Sequence, residues 1–418
     1  MAGKVIQSFP YTRVADEEQD SVYYTEKGTE WQPMRVHYPT LWTRLRLLII
    51  GIVMVFLFVL WAYESPDEYP MPDVKKPFGR FEHKPMKSLG SKLLCDDEVL
   101  APSETNPTNV NAVRPADIKV LGSLGDSITV ASGSKNFDDE GRELFVGNSY
   151  SIGGDESLAS LSTLGNILKQ VNPNLHGLSH GTGESERGFN VAVGGMTCED
   201  LPRQAAELVY KIKQSSEVDF DKDWKLVTIF IGTNDIGNLS CYKNRPYVNY
   251  STYKSNIETA VSILQKRLPR TIVTILAIWN SQLTIEAKSL IFDGKRKSCG
   301  NGSIEQRDAV INDYRRAAYE LQNEKKFDTD VFTVVTQSFF DDIKDSFRNT
   351  AGRYDTSFYA DDVFHLSKYG NAIVGKNFWN NLLEPVGKKT TKAELNNDDI
   401  SLRCPDKNAP FIRTLNNS

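Results

Sequence analysis

IKVLGSLGDSITVASG, residues Ile118 to Gly133, decides how the rest of the chain is read. Its first part, Ile118 to Ser123, is apolar and β-prone and reads as a buried strand. A strand that runs into Gly-Asp-Ser delivers a hydroxyl to the carboxyl edge of a sheet, where α/β folds place their ligand sites. Gly125 lets the backbone turn sharply, and a helix following it would aim N-terminal N–H groups at the same spot. Alone, the piece also reads as a turn or helix N-cap built on Asp126 and Ser127.

Outward from it the pattern alternates. Strands are expected at Ile118–Ser123, Leu226–Ile231, Thr271–Ile278 and Val331–Thr336. Between them run amphipathic helical stretches, one carrying Leu201, Ala205, Leu208, Val209 and Ile212, another Ile257, Val261, Leu264 and Leu268. A third extends from about Ile304 to Lys325, and a last one after His365 carries Ile373, Val374, Phe378 and Leu382. Strand, long helix, strand in repetition predicts a parallel sheet covered on both faces.

Strand-end loops of such a sheet share one edge, so four short pieces can meet there. They are Ser127, the run FNVAVGGMT (Phe189–Thr197), FIGTNDIG (Phe230–Gly237) and DDVFHLS (Asp361–Ser367). Each supplies a residue type that ester hydrolysis needs. Ser127 is the candidate nucleophile and needs a neighbouring base to react at neutral pH. His365 is the natural base, and Asp362, three residues earlier, can hold its tautomer and stabilise the imidazolium. The Ser127 N–H, the Gly195 N–H and the Asn234 side-chain amide are candidate donors to a developing oxyanion. Taken singly, Asn234 is a turn residue, Gly194-Gly195 a tight turn, and Asp126 a buttress of the loop. Neither HExxH nor paired CxxC occurs, so neither metal nor other cofactor is expected.

These residues carry a resemblance. Gly-Asp-Ser at 125–127, Asn-x-Ala-x-x-Gly at 190–195, Gly-Thr-Asn-Asp at 232–235 and Asp-x-x-His at 362–365 resemble the four blocks of the GDSL, or SGNH, hydrolases. RPADIKVLGSLGDS (Arg114–Ser127), SIGGD (Ser151–Asp155), DWKLVTIFIGTND (Asp223–Asp235), FWNNLLEPVGKKT (Phe378–Thr390) and the closing CPDKNAPFIRTLNNS resemble the animal phospholipase B branch. The likeness covers roughly residues 90–418. It implies a three-layer α/β/α, flavodoxin-like fold and a metal-independent serine esterase acting on phospholipids and lysophospholipids. It also implies Ser127, Asp362 and His365 as the triad, and Ser127, Gly195 and Asn234 as the oxyanion hole. Ile128 stands where the family name has leucine, a conservative exchange. Membrane-bound members of that branch carry tandem domains and a C-terminal anchor, whereas this chain reads as one domain with an N-terminal anchor.

That anchor is Leu47–Tyr63 (LLIIGIVMVFLFVLWAY), which carries no charge and as a helix would span about 26 Å. Trp42, Trp61 and Tyr63 sit where interfacial aromatics belong, and Arg44 and Arg46 precede it while Glu64, Asp67 and Glu68 follow. The positive-inside rule predicts a single-pass type II protein with everything past Tyr63 outside the cell or in a lumen. Residues 1–46, polar and without apolar period, read as a disordered cytosolic tail. Residues 64–90, rich in proline and charge, read as a stalk before a hydrolase domain at 91–418. All 5 cysteines lie beyond the anchor. So do four Asn-X-Ser glycosylation sequons, at Asn238, Asn249, Asn301 and Asn416. Position along the chain pairs Cys95 with Cys404 and Cys241 with Cys299, leaving Cys198 odd.

A formal charge of −5 with mixed signs gives no basic field, which disfavours nucleic acid as a partner. The reading is therefore a membrane-anchored phospholipase. Its rivals are an esterase for small or carbohydrate-borne acyl esters, and a non-catalytic surface-binding domain.

Overall fold

The structure, a computed structural model, describes residues 13–14, 22–27, 30–34, 87–134, 144–239, 246–280, 283, 302–343, 356–360, 362–395, 397 and 399–418. The chain divides into two compact units, Met1–His83 and Lys84–Ser418. In the first, β1 (Arg13–Val14), β2 (Val22–Lys27) and β3 (Glu30–Met34) form an antiparallel meander, with Tyr23 opposite Met34 and Lys27 opposite Glu30. Part of the stretch read as a disordered tail thus carries strands, because VYYTEK has the β-branched and aromatic residues that suit one. The expected anchor, Leu47–Tyr63, lies outside the described residues, among which no helix is long and apolar enough to cross a membrane.

The second unit is built on a parallel sheet of β4 (Ile118–Gly125), β5 (Trp224–Phe230), β6 (Thr271–Leu276) and β7 (Phe332–Gln337), adjacent in that order. Every residue of β5, β6 and β7 is buried, the mark of a sheet covered on both faces. The expected strands are therefore present, their ends displaced by one or two residues.

Among the described residues, five helices of eight residues or more accompany the sheet: α1 (Leu164–Val171), α2 (Leu201–Gln214), α3 (Tyr250–Arg267), α4 (Ile304–Asn323) and α5 (Lys368–Leu382). The side chains of Thr163, Asn249, Ser303 and Ser367 accept first-turn N–H groups and so fix where α1, α3, α4 and α5 begin. Since α2, α3 and α4 join strands stepping in one direction, right-handed crossovers set them in one layer, with α2 against α3 and α3 against α4. Helices α1 and α5 pack on each other, and α5 on β7, supplying the other layer.

A flavodoxin-like sheet would carry a further regular strand on the free edge of β4. Among the described residues that edge is met by two single parallel bridges, Val120 with His176 and Ser123 with Asn190. The chain between them passes through Gly177, Gly181, Gly183 and Gly188, all at positive φ, which breaks the extended run. The stalk boundary also moves. Ser162 N–H donates to Leu89 O and Ser91 N–H to Leu158 O, both at 2.9 Å, so residues 89–91 already belong to the domain. Cys95 is bonded to Cys404, closing the unit between its two ends.

Candidate active site

The nucleophile turn starts at Gly125, with φ of 155°. A Cβ there would lie 2.4 Å from Phe230 O and 2.5 Å from Thr129 Oγ1, so only glycine lets β4 pass β5 and turn. Gln204 of α2 grips this residue from both sides: it accepts the Gly125 N–H at 2.8 Å and donates to Gly125 O at 2.9 Å. Ser127 follows, 8% exposed. The helix expected after it is instead a single turn, closed by Ser132 N–H on Ser127 O at 3.0 Å. Ala131 and Gly133, with φ of 60° and 64°, end that turn before a helix can propagate.

The second loop is tied under the first. Asn190 donates to Thr129 O at 3.0 Å, and Val193 N–H donates to Gly125 O at 3.2 Å. These bonds bring the glycine pair against the serine: a Cβ on Gly194 would be 3.8 Å from Ser127 Cβ. Gly195, with φ of 78°, turns the chain there. Among the described residues the N–H groups of Ser127 and Gly195 make no hydrogen bond. Two backbone donors, at the nucleophile turn and at the glycine pair beside it, are thus uncommitted among the described residues.

The third candidate donor is already engaged. Asn234 Nδ2 donates to Met196 O at 3.0 Å and faces Asp126 Oδ2 at 3.4 Å. Thr233 Oγ1 also donates to Asp126 Oδ2, and Ile128 N–H donates to Oδ1 at 3.0 Å. Asp126 is wholly buried, which raises its carboxyl to about 6 despite these donors. Behind the loop, Tyr314 donates its hydroxyl to Asp235 O at 3.0 Å and stacks on Tyr253, whose hydroxyl donates to Ile231 O at 2.8 Å.

The fourth piece is a tight turn before α5. His365 Nδ1 lies 2.5 Å from Asp362 Oδ2, while Asp362 Oδ1 accepts the N–H groups of Phe364 and His365, each at 2.9 Å. Partial burial works against this carboxylate, but the imidazole and the two N–H groups outweigh it and lower the group to about 2. Val363 between them has φ of 56°, a strained conformation for a β-branched residue. A bridge between Tyr359 and Leu366 closes the turn, and Ser367 caps α5 directly after. His365 Nε2 is buried and, among the described residues, has no hydrogen-bond partner. The turn is tied to the nucleophile loop through α5, whose Asn371 donates to Ser134 Oγ at 2.9 Å, and Leu366 shares a small cavity with Ile128. The other described histidines, His176 and His180, sit beside Glu217 and Asp155 instead.

All four sequence-predicted pieces thus reach one edge of the sheet. Sequence reasoning missed Gln204 and Thr233, and it left Asp126 as a simple buttress. Gln204 carried a signal, since it is a polar residue on the apolar face of α2 between Leu201 and Leu208. Thr233 carried none beyond its place in Gly-Thr-Asn-Asp. Of the sequons, Asn249 and Asn416 are exposed and Asn238 partly so; Asn301, Cys241 and Cys299 lie outside the described residues. Cys198 is a buried free thiol, its ionisation suppressed by burial and by Asp235.

Residues 121–378 match the family model described as GDSL-like Lipase/Acylhydrolase. The chain belongs to that family. The curated relatives of this GDSL chain are membrane-associated phospholipase B1 proteins. The chain is 36% identical over 351 residues to the membrane-associated phospholipase B1 of Homo sapiens, covering 79% of this chain and 24% of that protein. It is 34% identical over 367 residues to the Rattus norvegicus counterpart, covering 82% and 24%. The GDSL chain thus spans about a quarter of the length of these relatives. Among solved structures it is similar to a putative GDSL-like lipase from Parabacteroides merdae, with a TM-score of 0.31, 16% identity, and coverage of 64% of this chain and 95% of that one. It is also similar to a phospholipase A1 from Streptomyces albidoflavus, with a TM-score of 0.25, 12% identity, and coverage of 61% and 95%.

Proposed function

We propose that this GDSL hydrolase cleaves acyl esters of phospholipids and lysophospholipids through a Ser127–His365–Asp362 triad and an acyl-enzyme. The observation that carries the reading is the 2.5 Å contact of His365 Nδ1 with Asp362 Oδ2, with Nε2 unpartnered among the described residues. With Nδ1–H donated to the carboxylate, Nε2 holds the lone pair that takes the Ser127 proton. The Ser127 oxygen attacks the ester carbonyl, and the resulting oxyanion lies against the Ser127 and Gly195 N–H groups. The Asn234 amide joins them by exchanging the Met196 carbonyl for the oxyanion. His365 then protonates the leaving alcohol, and water, deprotonated by the same Nε2, releases the fatty acid.

The phospholipid substrate class is supported by the identity with the membrane-associated phospholipase B1 proteins. The Leu47–Tyr63 segment is proposed as a type II signal anchor that holds the enzyme beside its lipid substrate and raises the effective concentration. The sequons at Asn238, Asn249, Asn301 and Asn416 suit the lumenal side that this topology assigns them.

The test compares the chain with its Ser127→Ala variant on phosphatidylcholine, lysophosphatidylcholine and a short-chain ester. Fatty-acid release from both lipids, lost in the variant, is expected. Hydrolysis of the short ester alone would shift the assignment to small or carbohydrate-borne esters. No turnover by the folded protein on any of them would favour a binding domain.

A further inference from the structure

The triad chemistry leaves unused a buried charge that lies beside the nucleophile. Asp126, adjacent to the nucleophile, is 0% exposed, yet its carboxylate collects donors from two separate loops. Ile128 N–H, on the loop after β4, reaches Oδ1 at 3.0 Å. The Thr233 hydroxyl and the Asn234 amide, on the loop after β5, converge on Oδ2, the amide at 3.4 Å. One side chain therefore joins the turn that carries the nucleophile to the turn that carries the third oxyanion donor.

We infer that Asp126 is a positioning residue for the oxyanion site, holding the Asn234 amide with its nitrogen, rather than its oxygen, toward the nucleophile loop. A carboxylate offers only acceptors, so the flipped amide would set oxygen against oxygen in a buried site. With one amide hydrogen directed at Oδ2 and the other at Met196 O, the side chain keeps one orientation, and only the second bond is exchanged when an oxyanion forms. At neutral pH the carboxyl is mostly ionised, as this role requires, despite its burial. The inference rests on the proposed triad and oxyanion reading.

Asp126→Asn tests it, because an amide at 126 can pair with Asn234 either way round and no longer enforces its orientation. Loss of one oxyanion donor typically costs about 10²–10³ in rate. Asp126→Asn is expected to lower kcat by about ten- to a hundredfold, with KM nearly unchanged, on a short-chain ester. Asn234→Ala is expected to lose about 10²–10³, and adding Asp126→Asn to it should cost little more. Losses that multiply in the double variant would mean that Asp126 only supports the fold, and would overturn the inference. So would a kcat of Asp126→Asn equal to that of the parent while Ser127→Ala is inactive, an outcome that spares the triad. An active Ser127→Ala would overturn both readings. If Asp126→Asn does not fold, Thr233→Val decides, since it removes the hydroxyl that anchors the carboxylate. That variant should lower kcat at constant KM, and Thr233→Ser should restore it; no loss in Thr233→Val overturns the inference.

Discussion

Asp362 holds His365 at two points: Oδ2 meets the ring Nδ1 at 2.5 Å, and Oδ1 accepts the backbone N–H of the same residue at 2.9 Å. Ring and main chain are thus oriented by one carboxylate, and the strained Val363 lies inside the loop they close. Asp362→Asn keeps an acceptor for the backbone N–H but favours the wrong ring tautomer. We expect kcat to fall by about 10³–10⁴ while the melting temperature stays within a few degrees. Ester kinetics beside a thermal melt check this, and a loss under tenfold would remove Asp362 from the mechanism.

The two carboxylates of the candidate site, Asp362 and Asp126, respond to pH with opposite sign. Asp362 is lowered to about 2, below its unfolded value near 3.9, so its stabilisation is present above pH 4 and lost as pH falls toward 2. Asp126 is raised to about 6, so the folded state binds the proton more tightly and stability declines as pH rises from about 4 to 6. Its titratable neighbours include His365, Tyr150 and Tyr253, and burial keeps both phenols protonated through that window. Denaturant titrations between pH 4 and 7 should show that decline in the parent, and Asp126→Asn should flatten it. An unchanged slope in the variant would contradict the shift.

Gly125 admits no side chain. With Phe230 O 2.4 Å from the position of a Cβ, Gly125→Ala must push β4 from β5 or break the turn. Positive-φ strain alone costs about 1–3 kcal/mol, and the backbone clash adds to it. The expected result is a lower denaturation midpoint and loss of Ser127 labelling by a fluorophosphonate probe.

The Cys95–Cys404 bond closes a loop of sequence separation 309, the regime where a cross-link most restricts the unfolded chain. Replacing both cysteines with serine should lower stability by roughly 2–5 kcal/mol. Neither cysteine touches the nucleophile turn, so kcat per folded molecule should hold. Denaturant midpoints with active-site titration would separate the two effects.

Gln204 braces the nucleophile turn from α2. Gln204→Leu keeps the size and suits the apolar face of α2, but leaves the Gly125 N–H without its partner and the carbonyl with only the Val193 N–H. An unmet buried polar group costs about 1–3 kcal/mol, so the variant should melt earlier and lose activity even though the new side chain is apolar. A stability equal to the parent's would show that Gln204 is dispensable to the turn.

Local chemistry alone determined much of this protein. Alternation of short apolar runs with helical periods marked β4 to β7 and the helices α2 to α5, since burial on both faces of a sheet leaves that pattern in any chain. Gly125, Ser127, Gly195, Asn234, Asp362 and His365 stood out as candidates because they fall in loops that flank the regular elements and together supply residue types that ordinary turns do not need in combination. What the fold alone decided concerns direction and competition for partners. No periodicity shows that the Ser127 and Gly195 N–H groups stay unspent, or that the Asn234 amide is shared by Met196 O and Asp126. Nor does it show that the turn after Ser127 fails to become a helix, or that two single bridges replace a strand beside β4. Each outcome depends on which buried donor meets which acceptor across tens to hundreds of residues, and such pairs exist only once the chain has closed upon itself.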